Sequence, residues 1–211
     1  MLDKKTIKVQ KKYDRFSRFY DSLEGGIENK LFSNWRKKLI GNIMGEILEI
    51  GVGTGKNLEY YNKNANVIGI DLSSKMLEKA KKKLKILKNK NIKLMEMDAL
   101  KLRFKNNSFD YIINTFVLCS VPFPVNVIRE MKRVLKKDGK ILMLEHTKSD
   151  HIILKMFQEI HNPITKALFG FNVNRNTIEN IKKAGFKPKY KNIAFFDVFK
   201  KIEVKNKRDG K

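Results

Sequence analysis

The sequence contains one cysteine, Cys119, and three histidines among its 211 residues. A lone cysteine allows no intrachain disulfide bond, and the default compartment that it predicts is the cytosol. No two of the histidines stand with a cysteine or an acid at the spacing of metal ligands, so we predict no metal site. These scarcities exclude a disulfide-stapled scaffold and argue against a metal centre.

Long uncharged stretches are also scarce. The N-terminus, from Met1 to Lys12, alternates charge with isolated apolar residues and lacks the apolar core of a signal peptide. We find no Pro/Gly/Ser-rich linker, internal repeat or low-complexity block, and therefore expect one α/β domain over residues 1–211, long enough to bury a sizeable core. The longest uncharged stretch, Tyr111 to Ile128, is predicted to be a strand and loop rather than a membrane span, because its 18 residues include Asn114, Ser120, Pro122, Pro124 and Asn126.

Acidic residues are few beside basic ones, at 22 against 46, which gives a formal net charge of +24. A basic surface attracts polyanions of any sequence. The lysines are dispersed, however, over the N-terminus, the stretch Lys79–Lys93 and the tail from Lys187. We favour a solvated surface biased by genome composition or thermophile-like charge usage over an anionic membrane face, and consider RNA binding the least favoured interpretation. Trp35 is expected to pack inside the fold rather than form an interfacial patch.

Three glycines at alternate positions, Gly51, Gly53 and Gly55, follow the strand-like run from Ile47 to Ile50. Such a turn can adopt positive φ and approach a ligand closely, and a helix after it would offer free N–H groups. The dinucleotide fingerprint needs a glycine at the sixth position, where this chain has Lys56. NAD and FAD are therefore disfavoured, and the absence of a GKS or GKT motif disfavours a nucleoside triphosphate.

Carboxylates follow the strand-like runs. Asp71 ends the run from Val67 and lies 20 residues after Gly51 (71 − 51), the spacing at which an acid at the end of the second parallel strand accepts ribose hydroxyls. A third run, Ile92–Glu96, leads into Asp98. With Glu49 on the first run, three strands bring an acid to one rim. Each acid alone has an ordinary interpretation as a solvated turn residue, but three around a glycine turn predict a ligand site.

Strands separated by helices predict a doubly wound, mostly parallel sheet with ligands at the carboxyl ends of its strands. A terminal antiparallel hairpin is predicted over Phe186–Lys205, in two runs about Asp197. The expected helices cover residues 10–22, 26–42, 73–90, 127–137 and 176–184, and the other expected strands cover residues 47–50, 67–71, 92–96, 111–114 and 140–144.

With these motifs the chain resembles the class I S-adenosylmethionine-dependent methyltransferases, from about Tyr13 to the C-terminal strands. The resemblance implies a Rossmann-like, seven-stranded sheet, N-terminal lid helices over residues 1–42, a cofactor-binding core over residues 43–211, and S-adenosylmethionine as cofactor. Tyr20, with Asp21, resembles the pair by which quinone and sterol methyltransferases fold a helix over the cofactor. The implied cofactor-binding residues are Glu49, Gly51, Gly53, Gly55, Asn57, Asp71, Leu72, Met76, Asp98, Ala99, Asn114 and Thr115.

A narrower resemblance covers about Tyr111 to Phe186. The segments Leu118–Val121, Met143–His146 and Leu168–Arg175, with Asn162-Pro163, resemble the methyltransferase-like family that includes animal alkyl-thiol methyltransferases and bacterial phospholipid methyltransferases. Two features differ, because the animal members have an N-terminal membrane anchor, which this sequence lacks, and a cysteine where this chain has Phe171. Membrane attachment therefore does not carry over from the resemblance.

Several acceptor classes are disfavoured. The loop after Asp110 lacks the Asn-Pro-Pro-Tyr pattern of enzymes that methylate amino groups of nucleic-acid bases, and the chain has no Pro-Cys nucleophile for cytosine C5. Arsenic methylation needs several cysteines to hold a soft metalloid. The stretch Tyr111–Ile128 contains no carboxylate, which argues against a protein arginine methyltransferase.

A small, largely apolar acceptor remains, and we favour a thiol, because transfer of a methyl group to a thiolate needs little acid–base machinery. We predict His146 and Tyr20 as catalytic residues, with His146 or Arg175 supplying a positive charge or taking a proton. Alternatively, His146 bonds to backbone. The predicted partner is a small-molecule acceptor; contact with an anionic membrane face and attachment there are secondary expectations. The predicted substrate-binding residues are Tyr13, Cys119, Asn172 and Arg175.

Several alternatives stay open. Cys119 is more typical of a small core residue than of a nucleophile, and Asn172 and Arg175 are equally consistent with capping the helix from Asn176, with Asn174 as the natural N-cap. For the whole chain, phospholipid N-methylation or quinone methylation at a membrane surface is the alternative catalytic function. The contrasting class is a non-catalytic module that binds the cofactor and attaches to RNA or membrane through its charge.

Overall fold

A seven-stranded sheet organises the part of the chain that this computed structural model describes, residues 3–27 and 31–206. The strands are β1 Glu46–Ile50, β2 Asn66–Asp71, β3 Ile92–Glu96, β4 Phe109–Thr115, β5 Leu135–His146, β6 Lys189–Ala194 and β7 Phe199–Lys205. The helices are α1 Lys4–Ile27, α2 Ser33–Ile40, α3 Ser74–Leu87, α4 Pro124–Val134, α5 Ile152–Leu168 and α6 Thr177–Lys183.

The strands follow the order β3-β2-β1-β4-β5-β7-β6. The first five are parallel to one another, and β7 is antiparallel to both β5 and β6. Because β1 pairs with β2 on one side and β4 on the other, the chain reverses its winding direction at β1, and a crevice for a ligand is expected at the carboxyl end of that strand. The predicted doubly wound sheet with a terminal antiparallel hairpin is confirmed.

Two apolar clusters cover the two faces of the sheet. Successive residues of β1 point to opposite faces, so Ile47 packs in the cluster with α2 and α3, whereas Leu48 packs in the cluster with α4 and α6. Both residues are completely buried. Apolar residues on both faces explain why the parallel strands are nearly continuous hydrophobic runs. Among the described residues, none of the helices combines the length and the apolar character needed to cross a membrane.

Most predicted elements exist, but their boundaries shift. The four N-terminal parallel strands lie within two residues of the expected positions, and Ser73 caps α3 as predicted, by accepting a hydrogen bond from the backbone N–H of Met76 at 3.1 Å. The first helix is longer than residues 10–22 and the second is shorter than residues 26–42. Residues 28–30 lie outside the described part of the chain. The hairpin strands begin at Lys189 rather than Phe186 and turn around Asp197, as expected.

The predicted helix over residues 127–137 is wrong at both ends. Pro124 occupies the first turn of α4, where its missing N–H and fixed φ are tolerated. At the other end the helix stops at Val134, because Leu135 already pairs with Phe109 of the neighbouring strand. The fifth strand therefore begins before Asp138 and includes His146 as its last residue.

The helix expected directly after the glycine turn is also absent from the described structure. Between β1 and β2 the chain forms only one 3-10 turn, Leu58–Tyr60. Side-chain hydrogen bonds from Asn57 and Tyr61 to Glu49 hold both ends of this turn against the first strand. An Asx-type hydrogen bond from the backbone N–H of Asn64 to the side chain of Asn62 then begins the next turn.

Helix α5 has no counterpart among the predicted helices. Only Gln158 of its 17 residues is buried, and Pro163 lies inside the helix. The apolar residues recur at helical spacing but face outward. We call the exposed apolar residues of this helix the outer face of α5, which consists of Ile152, Ile153, Met156, Phe157, Ile160, Ile164 and Leu168.

Candidate functional site

The turn after β1 is held by hydrogen bonds from the backbone N–H groups of Gly51 and Val52 to the carbonyl of Ile70, at 2.8 and 2.9 Å. Gly51 and Gly53 have φ values of +69° and +56°, which glycine adopts without strain. A Cβ on Gly51 would lie 2.3 Å from Val117, whereas a Cβ on Gly53 would meet only a backbone oxygen, 4.0 Å away. The direction of the absent Gly53 side chain is therefore open space.

That space belongs to a cleft at the carboxyl ends of the parallel strands, which spans about 860 Å³ when the open solvent at its mouth is included. Helix α1 forms one wall, the glycine turn and the ends of β2 and β3 form a second, and the segment after β4 forms a third. The lining residues are Thr6, Val9, Gln10, Tyr13, Ile50, Gly51, Gly53, Ile70, Asp71, Leu72, Ser73, Met76, Met97, Asp98, Ala99, Leu100, Thr115, Phe116, Val117, Ser120, Val121, Pro122 and Val127.

The cleft brings together many of the residues predicted from sequence, and their roles in binding remain predictions. Those that line it are Gly51, Gly53, Asp71, Leu72, Met76, Asp98, Ala99, Thr115 and Tyr13. The described lining does not include Glu49, Gly55, Asn57, Asn114, Cys119, His146, Asn172 or Arg175. Tyr20 lies on α1, but its side chain is outside the described part of the structure.

Asp71 stands at the end of β2 and lines the cleft. One carboxylate oxygen accepts a hydrogen bond from the backbone N–H of Gly53 and the other from that of Ser73, each at 2.9 Å. Burial raises the pKa of Asp71, and these backbone donors offset part of the rise. A carboxylate has about four lone-pair sites, so Asp71 can accept further hydrogen bonds from ligand hydroxyls.

Helix α1 is fastened to this edge of the cleft by two polar contacts. Ser73 donates a hydrogen bond to Asp14 at 2.6 Å, and the side-chain amide of Gln10 donates to the carbonyl of Leu72 at 2.9 Å. Of the two N-terminal helices, α1 therefore borders the cleft, whereas α2 packs Leu39 and Ile40 against the sheet. The sequence did not single out Gln10, because an exposed-looking glutamine near a chain terminus has no pattern of its own.

A buried polar network lies beside the glycine turn. Glu49 accepts hydrogen bonds from Asn57 at 2.8 Å and from Tyr61 at 2.9 Å, while Arg36 donates to Asn57 at 3.0 Å and to Thr115 at 2.8 Å. Burial raises the pKa of Glu49 to about 7, and the hydrogen bonds from Tyr61 and Asn57 hold it lower than burial alone would. Because Asn57 also donates to Thr115, Glu49 helps to hold Thr115 and the glycine turn in place through Asn57.

Arg36 is a second residue beside the cleft that the sequence did not single out. It is buried on α2 with Leu39 and Ile40, and its guanidinium lies 5.5 Å from the ring centre of Phe116, which lines the cleft. An arginine on the apolar face of a predicted helix is a readable signal, because a charge is rarely buried without partners.

Two buried polar side chains, Asn114 near the end of β4 and Glu145 near the end of β5, lack complete hydrogen-bond partners among the described residues. The side-chain oxygen and nitrogen of Asn114, and Oε2 of Glu145, are buried without a hydrogen-bond partner among the described residues. The other oxygen of Glu145 accepts hydrogen bonds from the backbone N–H groups of Val117 and Leu118, at 2.9 and 3.0 Å. Burial raises the pKa of Glu145 to about 8. Glu145 therefore fixes the start of the cleft-lining segment after β4.

Asn172 and Arg175 hold the same segment from the opposite side. Asn172 donates from its backbone and its side chain to the carbonyl of Cys119, each at 2.9 Å, and Arg175 donates to the carbonyls of Cys119 and Val121 at 3.1 and 3.0 Å. Asn176 caps α6, so the alternative in which Asn172, Arg175 or Asn174 caps that helix is wrong. Asn174 instead donates to Glu159 at 2.7 Å.

Cys119 itself is buried and donates weakly to the carbonyl of Phe116 at 3.5 Å. Burial, followed by the charge of Glu145, raises the pKa of the Cys119 thiol well above its usual value. A protonated, buried thiol is a poor nucleophile. The geometry therefore matches the interpretation of Cys119 as a small core residue.

His146 ends β5 beside an aromatic cluster. Its ring centre lies 5.7 Å from that of Phe171 and 6.5 Å from that of Phe199. Burial and the nearby charge of Arg175 lower the pKa of His146 to about 4, although its hydrogen bond with the Val173 backbone opposes this shift. The imidazole is therefore neutral at pH 7 and does not supply the positive charge expected from the sequence.

Aromatic rings continue from the cleft toward the surface. Phe116 lies 5.0 Å from Phe32 and 6.0 Å from Phe199, measured between ring centres, and Phe199 lies 5.5 Å from Phe195. Phe195 is 60% exposed. Trp35 packs on the same cluster, 5.7 Å from Phe199, which agrees with its expected place inside the fold. One wall of the cleft is therefore part of an apolar path that reaches the turn of the terminal hairpin.

Comparison with known proteins agrees with this geometry. Residues 48–143 match the model of a methyltransferase domain. The chain is 38% identical over 107 residues to a phosphatidylethanolamine N-methyltransferase of Cereibacter sphaeroides, a match that covers 50% of this chain and 53% of that protein. It is 32% identical over 181 residues to a demethylmenaquinone methyltransferase of Staphylococcus aureus, covering 81% of this chain and 74% of that protein. The match thus spans about half the length of the first relative.

The fold matches solved structures as well. An S-adenosylmethionine-dependent methyltransferase of Thermotoga maritima superposes with a TM-score of 0.67 at 20% identity, over 91% of this chain and 98% of that one. This level of identity supports the fold alone. The demethylmenaquinone methyltransferase of Staphylococcus aureus aligns over most of both sequences, and the methyltransferase-domain model matches residues 48–143. The chain therefore belongs to the class I S-adenosylmethionine-dependent methyltransferases.

Proposed function

We propose that this chain transfers a methyl group from S-adenosylmethionine to a small, largely apolar acceptor. The observation that carries the proposal is the lining of the cleft. Asp71, Asp98 and the open side of Gly53 lie in it together with an apolar wall that includes Phe116 and Val117. Family and fold imply S-adenosylmethionine as the cofactor.

The residues present fit this cofactor. Gly53 leaves open the space that a Cβ would fill, and the carboxylate of Asp71 retains capacity for hydroxyl donors beside it. Gly51, Gly53, Asp71, Asp98 and Ala99 would hold the cofactor along the ends of the first three strands. When bound, the cofactor supplies an electrophilic methyl group on a sulfonium centre.

The chain contributes positioning and exclusion of water. Val9 and Tyr13 on α1, with Val121 and Pro122 on the segment after β4, surround the cleft on two sides. Holding two reactants in line removes much of the entropic barrier of a bimolecular step, and a dry site strengthens the attraction between an anion and a cation. Asn172 and Arg175 support this arrangement by fixing the carbonyls of Cys119 and Val121.

A thiol is the acceptor that we place first. The described lining of the cleft contains no histidine, lysine or cysteine to remove a proton, and its two carboxylates, Asp71 and Asp98, are those proposed to hold the cofactor. A thiol with a pKa near 8.5, the value for cysteine, is ionised to a few per cent at neutral pH and supplies its own nucleophile. A phospholipid ammonium group or a quinol hydroxyl would instead depend on a base.

A lipid-borne acceptor is the second candidate, and the aromatic path from Phe116 to Phe195 favours it. These packed rings make apolar surroundings for a tail at the Phe116 side of the cleft. The relatives named for phosphatidylethanolamine and for demethylmenaquinone give this candidate further support.

Methyl transfer from labelled S-adenosylmethionine to a panel of acceptors tests the proposal. The panel contains alkyl thiols, phosphatidylethanolamine vesicles, a demethylated quinol and RNA, and mass spectrometry identifies the methylated product. Product with a thiol supports the first candidate, and product only with a lipid or quinol replaces it by the second. Cofactor binding without any methylated product would instead indicate a non-catalytic module.

A further inference from the structure

Helix α5 has the opposite polarity to α3 and α4. In α3 the buried residues are apolar, Met76, Leu77 and Ala80, and the lysines face outward. In α5 the single buried residue is Gln158, whereas the seven residues of the outer face are each more than half exposed, with Ile153 at 69% and Ile160 at 67%. At about 100° per residue these seven residues span an arc of about 160°, and Gln158 points away from it.

Polar contacts hold α5 on the protein in this orientation. The side-chain amide of Gln158 donates to the carbonyls of Thr147 and Val173, each at 3.0 Å, and accepts from the backbone N–H of Ser149 at 2.8 Å. At the C-terminal end of α5, the ammonium group of Lys12 donates to the carbonyls of Lys166 and Ala167 at 2.6 and 2.7 Å. The outward direction of the apolar residues is therefore set by specific hydrogen bonds.

The turn of the terminal hairpin is a second exposed apolar feature. Phe195 and Phe196 are 60% and 78% exposed, and both have positive φ, at +47° and +60°. Glycine or asparagine is the favoured residue in such a turn, and a bulky residue there is strained. Two phenylalanines in this position are costly to the backbone and recover little through burial, so the stability of the fold does not explain them.

The two features are fixed next to each other. The ring of Phe196 stacks on that of His151, just before α5, with 5.7 Å between centres. Asp197, the next residue of the turn, accepts hydrogen bonds from the hydroxyl of Ser149 and the backbone N–H of Asp150. The turn is therefore held at the N-terminal end of α5, and the two features together expose nine large apolar residues, more than the single exposed apolar residues that are ordinary on proteins.

Charge identifies the occupant of this surface. The chain carries a net charge of +24, so two copies repel each other, whereas an anionic lipid surface attracts them. Lys155 and Lys166 are exposed on α5 beside its outer face, and Lys12 lies at its C-terminal end. The exposed Glu159 of the same helix is paired with Lys148 at 2.5 Å. An amphipathic helix with apolar residues on one side and lysines at the margin is typical of helices that lie in the plane of a membrane interface.

We propose that the outer face of α5 and the Phe195–Phe196 turn together dock this protein on an anionic lipid bilayer. Phe195 also ends the aromatic path from the cleft, so docking places one end of that path at the lipid surface. The docking itself does not depend on which acceptor is methylated.

Co-sedimentation of the full chain with vesicles tests the docking. The vesicles are made of phosphatidylcholine with or without phosphatidylglycerol, and no cofactor or acceptor is present, so failure of the proposed function does not affect the outcome. Ile160→Glu should weaken binding to phosphatidylglycerol vesicles by at least about tenfold. The substitution removes apolar area that docking would bury in the bilayer, and it adds a negative charge that the anionic lipids repel. Ile86→Glu on α3 is the matched control, since Ile86 is 79% exposed on a different helix, and it should change binding by less than about twofold.

A turn variant separates docking from folding. Phe196→Gly relieves the strained φ and should raise the thermal midpoint of unfolding, while it lowers vesicle binding by several-fold. Equal effects of Ile160→Glu and Ile86→Glu, or equal binding to vesicles with and without phosphatidylglycerol, would overturn the proposal. A dimer in lipid-free sedimentation that Ile160→Glu abolishes would overturn it as well, by making a second copy the occupant.

Discussion

The carboxylate of Asp71 accepts a hydrogen bond from the backbone N–H of Gly53 at 2.9 Å. The acid that the sequence predicts to bind ribose therefore also holds the glycine turn predicted to lie beside the cofactor. Because the same carboxylate accepts from Ser73, it links the turn after β1 to the start of α3. One side chain thus sets the positions of two elements that border the cleft.

Asp71→Ala should weaken S-adenosylmethionine binding by about 1.5–3 kcal/mol, the range for hydrogen bonds to a charged group. Titration calorimetry on the folded variant measures this change. Asp71→Asn separates the two roles, because its side-chain oxygen still accepts one backbone N–H while its NH₂ group does not accept from a hydroxyl. An Asp71→Ala variant with unchanged affinity would remove the ribose assignment.

The two glycines of the turn should differ when each is replaced by alanine. Gly51→Ala places a Cβ 2.3 Å from Val117 and should lower the free energy of unfolding by about 1–3 kcal/mol through overpacking, in addition to the strain of positive φ. Gly53→Ala meets open space, so its stability loss should be about 1–2 kcal/mol from φ alone, and its main effect should be weaker cofactor binding. Thermal unfolding and calorimetry on both variants check the pair. Equal cofactor affinity of Gly53→Ala and the parent would place the cofactor elsewhere.

The sheet could be predicted from sequence because the parallel strands are short β-branched runs whose turn chemistry is explicit. Ser73 illustrates this, since a serine before an apolar-periodic segment is a local signal and needs no knowledge of the fold. The ends of α4 could not be predicted in the same way. The pairing of Leu135 with Phe109, 26 residues earlier, decides where the helix stops, and no local pattern contains that information.

The residues of the cleft could also be predicted only in part. The acids and glycines at strand ends were found because parallel strands end at one edge of a sheet. Arg36 and Gln10 were missed because they act from helices that the fold brings over the strand ends. The outer face of α5 could not be predicted to be exposed for a different reason, since the spacing of apolar residues marks a stripe on a helix but does not show whether the fold covers that stripe.

Arg175 should affect the acceptor side of the cleft more than the cofactor side. Its two hydrogen bonds fix the carbonyls of Cys119 and Val121, and Val121 lines the cleft. Arg175→Lys retains the charge but loses the paired donors, so the KM for the acceptor should rise several-fold while the Kd for the cofactor changes by less than about twofold. Steady-state kinetics and calorimetry measure the two constants. A parallel rise in both would mean that the variant disturbs the whole cleft.

Stability should depend on pH through the buried acids. Burial raises the pKa of Glu145 to about 8 in the folded protein, so between the unfolded-state pKa and pH 8 the folded protein keeps a proton that the unfolded chain releases. The free energy of unfolding is therefore highest below the unfolded-state pKa and falls as pH rises toward 8. Glu145→Gln keeps an oxygen for the N–H groups of Val117 and Leu118 and cannot ionise. Between pH 5 and pH 8, the parent should therefore lose on the order of a few kcal/mol more stability than the variant. Calorimetric unfolding across this range checks the difference, and parallel curves would show that Glu145 does not titrate there.

The pH profile of thiol methylation tests the role of His146. With its pKa lowered to about 4, His146 does not change charge between pH 6 and pH 9. The rate should therefore rise with pH toward the pKa of the thiol acceptor, about 8.5 for a cysteine-like thiol, and show no inflection near 6.5. His146→Ala should lower the rate by a constant factor across this range, because the ring packs beside Phe171 and Phe199 rather than exchanging a proton. If activity of the variant instead recovers as pH rises, so that the ratio to the parent approaches one, His146 removes the proton from the thiol, and its pKa during turnover is higher than about 4.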